Sequence, residues 1–463
     1  MPSGNDAPER GIHARPTPTD REAWFGPDER FFSTTDERGR IRSGNAVFQR
    51  TSGHPYSVMV GAPHNLIRHP DMPRAAYRLM WQRLQAGEPF VAYVKNLAAD
   101  GAYYWVTAFV VPAPDGYLSI RIKPTTALFA VTRGIYAEML ALEAAAENGT
   151  REGREQGISA ATACLLRRLA EAGFDGYTAF QQAVLVAELA AQPATLRATT
   201  MVGGTPLAAV GAACADLDHL LSGLLDEARA SADLHEIIGS RAQFILGLSQ
   251  RMRTFAINAL LAAGRLNAAG AALAAIAELM RDCSDGIGAV IARLDAEFSA
   301  ALGELAVLSF RAAAGRLQID MARDFVDELA TSEHDDQVLG EDLAVLVACL
   351  GDGVDGLLSA QAAVTRRTHT ILGELQQLDG LLRRLKSLES SGRVETARLT
   401  GTDNALGVLF AAIAEQVMLA RGELDGVRAA TLGLGAADAA AGTSARRQIE
   451  VLRQLVAIEP ARV

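Results

Sequence analysis

The chain has 463 residues, of which 49% are apolar and 21% charged, so it can bury a sizeable core and is not globally disordered. Its formal net charge is −10 and it has no basic block, which argues against nucleic acid and anionic membrane surfaces as partners. The four cysteines are isolated, without a CxxC motif or a Cys/His cluster. This usage argues against a metal site or a disulfide framework and is typical of a reducing compartment.

No segment of the sequence is typical of a membrane protein. The N-terminal segment lacks the apolar stretch of a signal peptide. The longest uncharged stretch, residues 198–215, contains three glycines, a proline and three threonines, which favour a buried helix–loop–helix over a membrane span. We therefore expect a cytoplasmic protein with no membrane span.

Aromatic residues and prolines divide the chain into two parts. All three tryptophans and all eight tyrosines precede residue 178, and no proline occurs between residues 207 and 459. Because an interior proline disrupts a helix, the second part is predicted to consist of long helices. We expect a disordered, proline-rich arm over residues 1–28, a compact domain over 29–125, connector helices over 126–235 and a helical region over 236–463.

The compact domain shows alternating strand and helix patterns. Strand-like runs are bounded by turn residues, including Asp-Gly pairs at 100–101 and 115–116. A helix is predicted over 71–88, with Asp71 as its N-cap and Gly87 at its end. The predicted strands are FFSTT (31–35), GRIRS (39–43), PFVAYVKN (89–96), AYYWVTAFVVP (102–112) and YLSIRIK (117–123). This order predicts an α+β fold, a five-stranded antiparallel sheet with helices across one face and a ligand cleft between them.

Several motifs occur here in a characteristic order: FFSTTDERGRIRSGNAVFQRTSGH, PHNLIRHPDMP, MW, GEPF, VKN, DGAYYWV and Pro112. From about Arg30 to Lys123 this pattern strongly resembles the PAS domain of bacterial aerotaxis receptors. The resemblance implies a PAS fold that binds FAD non-covalently and reports redox state. The matching flavin-pocket positions are Asn45, Arg68, His69, Asp71 and Trp81. Phe90 replaces a pocket tryptophan of the family, and its ring can still stack on the flavin.

Each of these residues also has a structural interpretation. Asp71 could serve only as a helix cap, and Arg68 could pair with a surface carboxylate. Trp81 could belong to the core. His69, with His54 and His64 nearby, could be a loop residue or a haem ligand. Two alternatives to a flavin sensor therefore stay open, a cofactor-free PAS interaction module and a haem-based gas sensor.

The second part of the chain contains apolar stripes with alternating spacings of three and four residues. The first connector helices are predicted over 130–145 and 161–174, with a break over 148–157. The stripes fit a coiled-coil seam or the core of an ordinary bundle, and nearby glycines argue against one continuous rod. As a coiled-coil seam they predict a parallel homodimer through the helices of residues 340–390. The stripes are Leu343, Val347, Leu350, Val354 and Leu357, and Ile371, Leu375, Leu378, Leu382 and Leu385.

Two segments, 257–281 and 390–417, resemble degenerate copies of the chemoreceptor signalling tip. Ala262 replaces the glutamate of the family in the first copy, while the second keeps Glu395 and Arg398 but carries an insertion near residues 402–403. Glu395 and Arg398 could also form a simple ion pair within one helix. The resemblance implies a chemotaxis-type or receptor-like protein partner, although the losses predict no ordinary activation of a chemotaxis kinase. No nucleotide-binding or hydrolase motif occurs, so we expect a sensor and not an enzyme.

Overall fold

The computed structural model describes residues 15–192, 206–265, 270–331, 336–398, 405–434 and 446–454. These residues form two compact units. Within the described ranges, the first unit comprises residues 15–192, 206–222, 310–331, 336–355 and 446–454, and the second comprises residues 223–265, 270–309, 356–398 and 405–434.

The first unit contains the predicted five-stranded antiparallel sheet. Its strand order is β2-β1-β5-β4-β3, with antiparallel pairing throughout. The strands are β1 (Phe31–Thr35), β2 (Ile41–Gly44), β3 (Phe90–Leu97), β4 (Tyr103–Ala113) and β5 (Gly116–Ile122). The turns between β3, β4 and β5 fall at the two Asp-Gly pairs, because glycine adopts the positive φ that these turns need. The α+β prediction is confirmed.

Short helices cover the inner face of the sheet. They are α1 (Ala46–Ser52), α2 (Tyr56–Met59), a 3₁₀ turn (His64–Ile67) and α3 (Arg74–Gln85). The prediction that Asp71 caps α3 is wrong, because Pro73 occupies the N-cap position and makes no side-chain cap hydrogen bond. The carboxylate of Glu143 instead accepts hydrogen bonds from the backbone N–H groups of Arg74 and Ala75, each at 2.9 Å. A helix N-terminus needs such acceptors, and here a later helix supplies them.

Three further helices follow the sheet: α4 (Ala127–Ala146), α5 (Arg151–Glu171) and α6 (Gly176–Ala191). The predicted break over 148–157 is wrong in extent, since α5 begins at Arg151, where the Thr150 side chain accepts a hydrogen bond from Gly153. A side chain at Gly157 would lie 3.1 Å from the backbone of α4. The glycine is therefore there for close helix packing and does not end the helix.

Helix α6, which falls within the predicted connector region but was not delimited from the sequence, closes the β3 edge of the sheet. The Tyr177 hydroxyl donates to the backbone carbonyl of Val91 at 2.8 Å, and the Gln181 side chain accepts from the backbone N–H of Val91 at 3.2 Å. The buried carboxylate of Glu188 accepts hydrogen bonds from both the backbone and the hydroxyl groups of Thr125 and Thr126. These bonds fix the chain where it leaves β5 for α4.

The segment before β1 is ordered where the structure describes it. Backbone hydrogen bonds join Thr19 to Gly101 at 2.8 Å, and Ala23 to Tyr103 at 2.8 Å. Phe25 is fully buried, with its ring centroid 4.7 Å from that of Phe31. The expectation of a disordered arm is therefore wrong for residues 19–25, and residues 1–14 of that arm lie outside the described residues.

The outer face of the sheet packs on helices of the same unit, namely the parts of α8 (Ala271–Thr331) and α9 (Asp336–Arg398) within residues 310–355. Phe32 meets Phe325 edge-to-face at 4.5 Å. Arg30 forms ion pairs with Asp320 at 3.2 Å and Asp324 at 2.9 Å. We call this surface the sheet–helix interface.

The second unit is a helical bundle with one apolar core. Its core residues come from α7 (Pro206–Gly264), α8, α9 and α10 (Ala405–Leu434). The stripe from Ile371 to Leu385 is buried in this core, and Leu343 to Val354 are buried in the first unit. The stripes therefore act as core of a single chain, and the expectation of a broken α9 is wrong, because it runs unbroken for 63 residues. Burial on neighbouring helices stabilises it despite its glycines.

Both tip-like segments span helix–helix connections of the second unit. The first runs from the end of α7 into α8, and the second from the end of α9 into α10. Ala262 packs against the bundle core, and Arg398 pairs with Glu395 at 2.8 Å, as the ion-pair interpretation predicts. The insertion near residues 402–403 lies outside the described residues.

Two stretches are long and apolar enough to cross a membrane by length and composition alone, Ala271–Glu328 and Glu341–Arg398. Half of the apolar window in each is buried inside the protein, which is also typical of bundle-core helices.

Candidate cofactor site

A cavity of about 270 Å³ lies between the inner face of the sheet and the segment from the 3₁₀ turn to α3. Residues at alternate positions of the strands face it, which is the period expected of one sheet face. An isolated bridge between Arg68 and Asn96 holds the loop before α3 against β3. The lining residues are Thr35, Arg38, Gly39, Pro63, His64, Asn65, Ile67, Arg68, Tyr77, Met80, Trp81, Leu84, Val94, Asn96, Ala108, Val110, Tyr117, Ser119 and Arg121.

Aromatic rings form part of the cavity wall. Trp81 meets Tyr117 edge-to-face with ring centroids 5.5 Å apart. Gly39 has φ +73°, and a side chain there would lie 3.1 Å from the Trp81 ring. The guanidinium of Arg68 stacks over the Tyr77 ring at 4.0 Å from its centroid. The cavity therefore offers planar surfaces on which a planar ligand can stack.

Two polar groups in the cavity lack hydrogen-bond partners among the described residues. They are the amide nitrogen Nδ2 of Asn96 and the hydroxyl of Ser119, both buried. Buried polar groups in native proteins are nearly always satisfied by protein or water, so these two groups are available to bond to water or to a polar ligand in the cavity. The amide can donate, and the hydroxyl can donate or accept.

The floor of the cavity carries a buried arginine. Arg121 donates to the Ser33 hydroxyl at 3.1 Å and to Nε2 of His64 at 2.7 Å. Burial lowers the pKa of Arg121 to about 10, so its guanidinium stays charged at neutral pH. Burial and the adjacent Arg121 charge lower the pKa of His64 to about 3, so this histidine is neutral and accepts through Nε2.

Two of the six predicted flavin contacts, Arg68 and Trp81, line the cavity. Asn45 does not, and its buried amide accepts from Phe32 N at 3.0 Å and donates to the Arg30 carbonyl at 2.8 Å. Its side chain also accepts from the N–H of Phe48, which makes it the N-cap of α1. The structure therefore gives Asn45 a structural role in joining α1 to β1.

His69 and Asp71 lie in the loop beside the cavity and not in its lining. His69 is buried, Nδ1 accepts from the Asp71 N–H at 3.1 Å, and Nε2 has no partner among the described residues. Burial is the largest cause that lowers the pKa of His69. The Asp71 carboxylate is mostly exposed and pairs with Lys95 at 2.6 Å. This ion pair ties the loop to β3.

Phe90, at the position of the family's pocket tryptophan, does not line the cavity. Its ring stacks on that of Tyr177 from α6, with centroids 5.5 Å apart and an interplanar angle of 11°. The expectation that it contacts the flavin did not include this contact, because α6 was predicted only as an undelimited part of the connector helices. Phe90 belongs to the core between β3 and α6.

Several cavity residues were not predicted from the sequence. Two of them, Ser119 and Arg121, are polar residues at alternate positions of the otherwise apolar run YLSIRIK, a pattern that points both to one face of β5. Asn96 belongs to the VKN motif that contributed to the PAS resemblance. The alternation of residues along the strands, combined with the PAS resemblance, could have identified these three residues as part of the cavity.

Comparison with known proteins agrees with this architecture. No protein-family model matches the chain. Over 130 residues the chain is 37% identical to the aerotaxis receptor of Escherichia coli, an alignment that covers 27% of this chain and 26% of the receptor. This homology is consistent with a PAS domain of the aerotaxis-receptor type over the matched residues. It is also 32% identical over 88 residues to the nitrogen fixation regulatory protein of Klebsiella pneumoniae, covering 19% of this chain and 18% of that protein.

The aerotaxis-receptor similarity extends over about a quarter of each chain. A homologous nitrogen fixation regulatory protein of Klebsiella oxytoca gives 31% identity over 88 residues, again 19% of this chain and 18% of the other. The matches thus concern a domain, in which the predicted resemblance is confirmed. They leave the activities of the complete relatives to be tested for this chain.

Proposed function

We propose that this protein is a cytoplasmic, non-enzymatic redox or energy sensor that binds FAD non-covalently in the cavity of its PAS domain. The observation that carries the proposal is the pair of unsatisfied polar groups, on Asn96 and Ser119, beside the aromatic wall of the cavity. A volume of about 270 Å³ suits one planar ring system and places the rest of a dinucleotide outside.

Different cavity residues would make different contacts with the flavin. Trp81 and Tyr77 provide faces for the flavin ring, and Asn96 and Ser119 provide hydrogen bonds to its polar edge. The planar, partly buried guanidinium of Arg68 suits either the ring or the pyrophosphate. Bound FAD would supply reversible electron uptake, while the protein supplies binding, orientation and a response to charge.

Strand β1 connects the cavity to the sheet–helix interface. The Ser33 hydroxyl accepts a hydrogen bond from Arg121, which lines the cavity. Its neighbours on the opposite face, Phe32 and Thr34, face α8 and α9, where Phe32 contacts Phe325. Only strand β1 therefore separates a charge in the cavity from helices α8 and α9. A change of that charge can shift the packing of these helices on the sheet if it stabilises one packing arrangement more than another.

The spectrum of the purified protein tests the cofactor. We expect flavin absorption bands in the wild type, and at least tenfold lower flavin content in Arg68→Ala and Asn96→Ala, with unchanged helical circular dichroism. Arg50→Ala is a matched control, because Arg50 is exposed and pairs with Glu29 away from the cavity lining. His69→Ala is expected to fall between these cases, since it shapes the loop without lining the cavity.

Other spectra would contradict the proposal. A protein that binds no flavin, even with added FAD, would support the cofactor-free interaction module. A Soret band would support the haem sensor, although His64 is poorly suited as an iron ligand because its Nε2 already accepts from Arg121.

The output we propose is a protein–protein contact of the helical region, in a homodimer and with a chemotaxis-type or receptor-like partner. The leucine stripes are already buried within one chain, so the dimer would use other surfaces. Exposed apolar side chains of the second unit, Leu261, Val408 and Met418, are available for this purpose. Light scattering should give a dimer mass, with Leu378→Ala reducing stability but not the mass, and a monomer mass would contradict the dimer.

A further inference from the structure

The charge of Arg121 is not compensated within the cavity. Arg121 is buried, and its two hydrogen-bond acceptors are a serine hydroxyl and a neutral histidine. The described residues that line the cavity include the arginines Arg38, Arg68 and Arg121 but neither aspartate nor glutamate. An isolated buried charge is unfavourable unless something pairs with it, so this arrangement calls for a negative charge in the cavity.

The position of Arg121 is fixed by its surroundings. The guanidinium lies 5.4 Å from the centroid of the Phe48 ring, while its Nη groups bond to β1 and to the 3₁₀ turn. A guanidinium carries five N–H donors, so donors remain beyond these two bonds. The cavity thus contains a pre-oriented cation that does not need to move when an anion appears beside it.

We infer that the cavity is built for an anionic occupant and that Arg121 favours the reduced, anionic form of the flavin over the oxidised, neutral form. The inference rests on the proposed function. Two electrons from an external electron donor and one proton from solvent convert the neutral ring into an anion that carries the proton at N5. The remaining negative charge lies on the pyrimidine side of the ring, where a cation stabilises it.

Redox titration of three variants tests this inference. Arg121→Met keeps the length of the side chain without the charge, Arg121→Lys keeps the charge, and Arg42→Met removes an exposed arginine of β2 as a control. Each protein is loaded with FAD and titrated with dithionite. We expect Arg121→Met to lower the preference for reduced flavin at least tenfold, about 30 mV for a two-electron couple, and Arg121→Lys to retain most of it.

A second readout needs no flavin. Because the empty cavity leaves the Arg121 charge without a counterion, Arg121→Met should leave the thermal midpoint of the flavin-free protein unchanged or raised. A lowered midpoint would show that Arg121 is a structural residue and would overturn the inference.

The outcomes separate the inference from the function on which it rests. Flavin binding with equal potentials in wild type and Arg121→Met would overturn the inference and leave the proposed function standing. A wild-type protein that does not bind flavin would overturn both. A flavin reduction potential that is lowered in Arg121→Met, but equal to the wild-type value in Arg121→Lys and Arg42→Met, would support both the inference and the proposed function.

Discussion

Replacing Arg30 with alanine should destabilise the sensor domain by about 3 kcal/mol, because it breaks a buried ion pair from one side. Arg30 is 8% exposed and contacts both Asp320 and Asp324 of α8. The two carboxylates favour the charged guanidinium and raise its pKa, even though burial, the largest single effect, opposes this. Its removal leaves two partly buried carboxylates without this partner.

Tryptophan fluorescence during denaturation is the appropriate measurement, since all three tryptophans lie between residues 24 and 105. Arg21→Ala is the control, because Arg21 and Asp100 form an exposed ion pair that should contribute at most about 1 kcal/mol. A double-mutant cycle with Asp324→Ala isolates the pairwise energy from other effects of truncation. Equal effects of Arg30→Ala and Arg21→Ala would show that this contact does not hold the sheet to α8.

The same variant separates the proposed flavin binding from the proposed response of the helices. Arg30 does not line the cavity, so Arg30→Ala should bind the proposed flavin as the wild type does while weakening the sheet–helix interface.

Local sequence patterns were sufficient to predict the sheet. Alternating apolar residues and Asp-Gly pairs specify strands and turns over a few residues, and each of the five strands was predicted to within two residues. Features that depend on contacts between residues far apart in the sequence were harder to predict. The apolar stripe of α9 is the same whether its partner is a second chain or α7, α8 and α10 of the same chain. Only the tertiary structure distinguishes the two.

In the candidate site, too, some residues could be predicted from the sequence and others only from the tertiary structure. Arg68 and Trp81 were predicted from the PAS resemblance and line the cavity, whereas Phe90 packs on Tyr177 of α6, a helix whose bounds the sequence patterns did not define. Arg121 was missed because a lone arginine in an apolar strand is usually taken as exposed. Its significance comes from the absence of a carboxylate beside it among the described residues, which is a property of the fold and not of its sequence neighbours.

Asp342 should make the sheet–helix interface dependent on pH. It is 6% exposed and accepts a hydrogen bond from the Ser43 hydroxyl at 2.5 Å. Burial is the largest cause that raises the pKa of Asp342 to about 6, and the nearby charges of Glu341 and Glu328 act in the same direction. The carboxyl group therefore prefers to be protonated in this environment.

The sign of the effect follows from proton binding. The unfolded chain releases this proton near the ordinary pKa of about 3.9, whereas the folded chain holds it until about pH 6. The folded state binds more protons between these values, so the Asp342 contribution to stability is lost as pH rises through this window. Two pKa units correspond to a destabilisation of up to about 3 kcal/mol above pH 6.

Asp342→Asn should therefore stabilise the protein at pH 8 by up to about 3 kcal/mol and have little effect near pH 4, because asparagine resembles the protonated acid. Denaturation followed by tryptophan fluorescence at both pH values measures the difference between the variant and the wild type. Asp355→Asn, at an exposed position of α9, controls for the loss of a negative charge from the same helix. A stability difference that is the same at pH 8 and pH 4 would show that Asp342 does not titrate in this window, whereas a difference that grows with pH would mark it as a proton-sensitive contact between the PAS sheet and the helices that it is proposed to control.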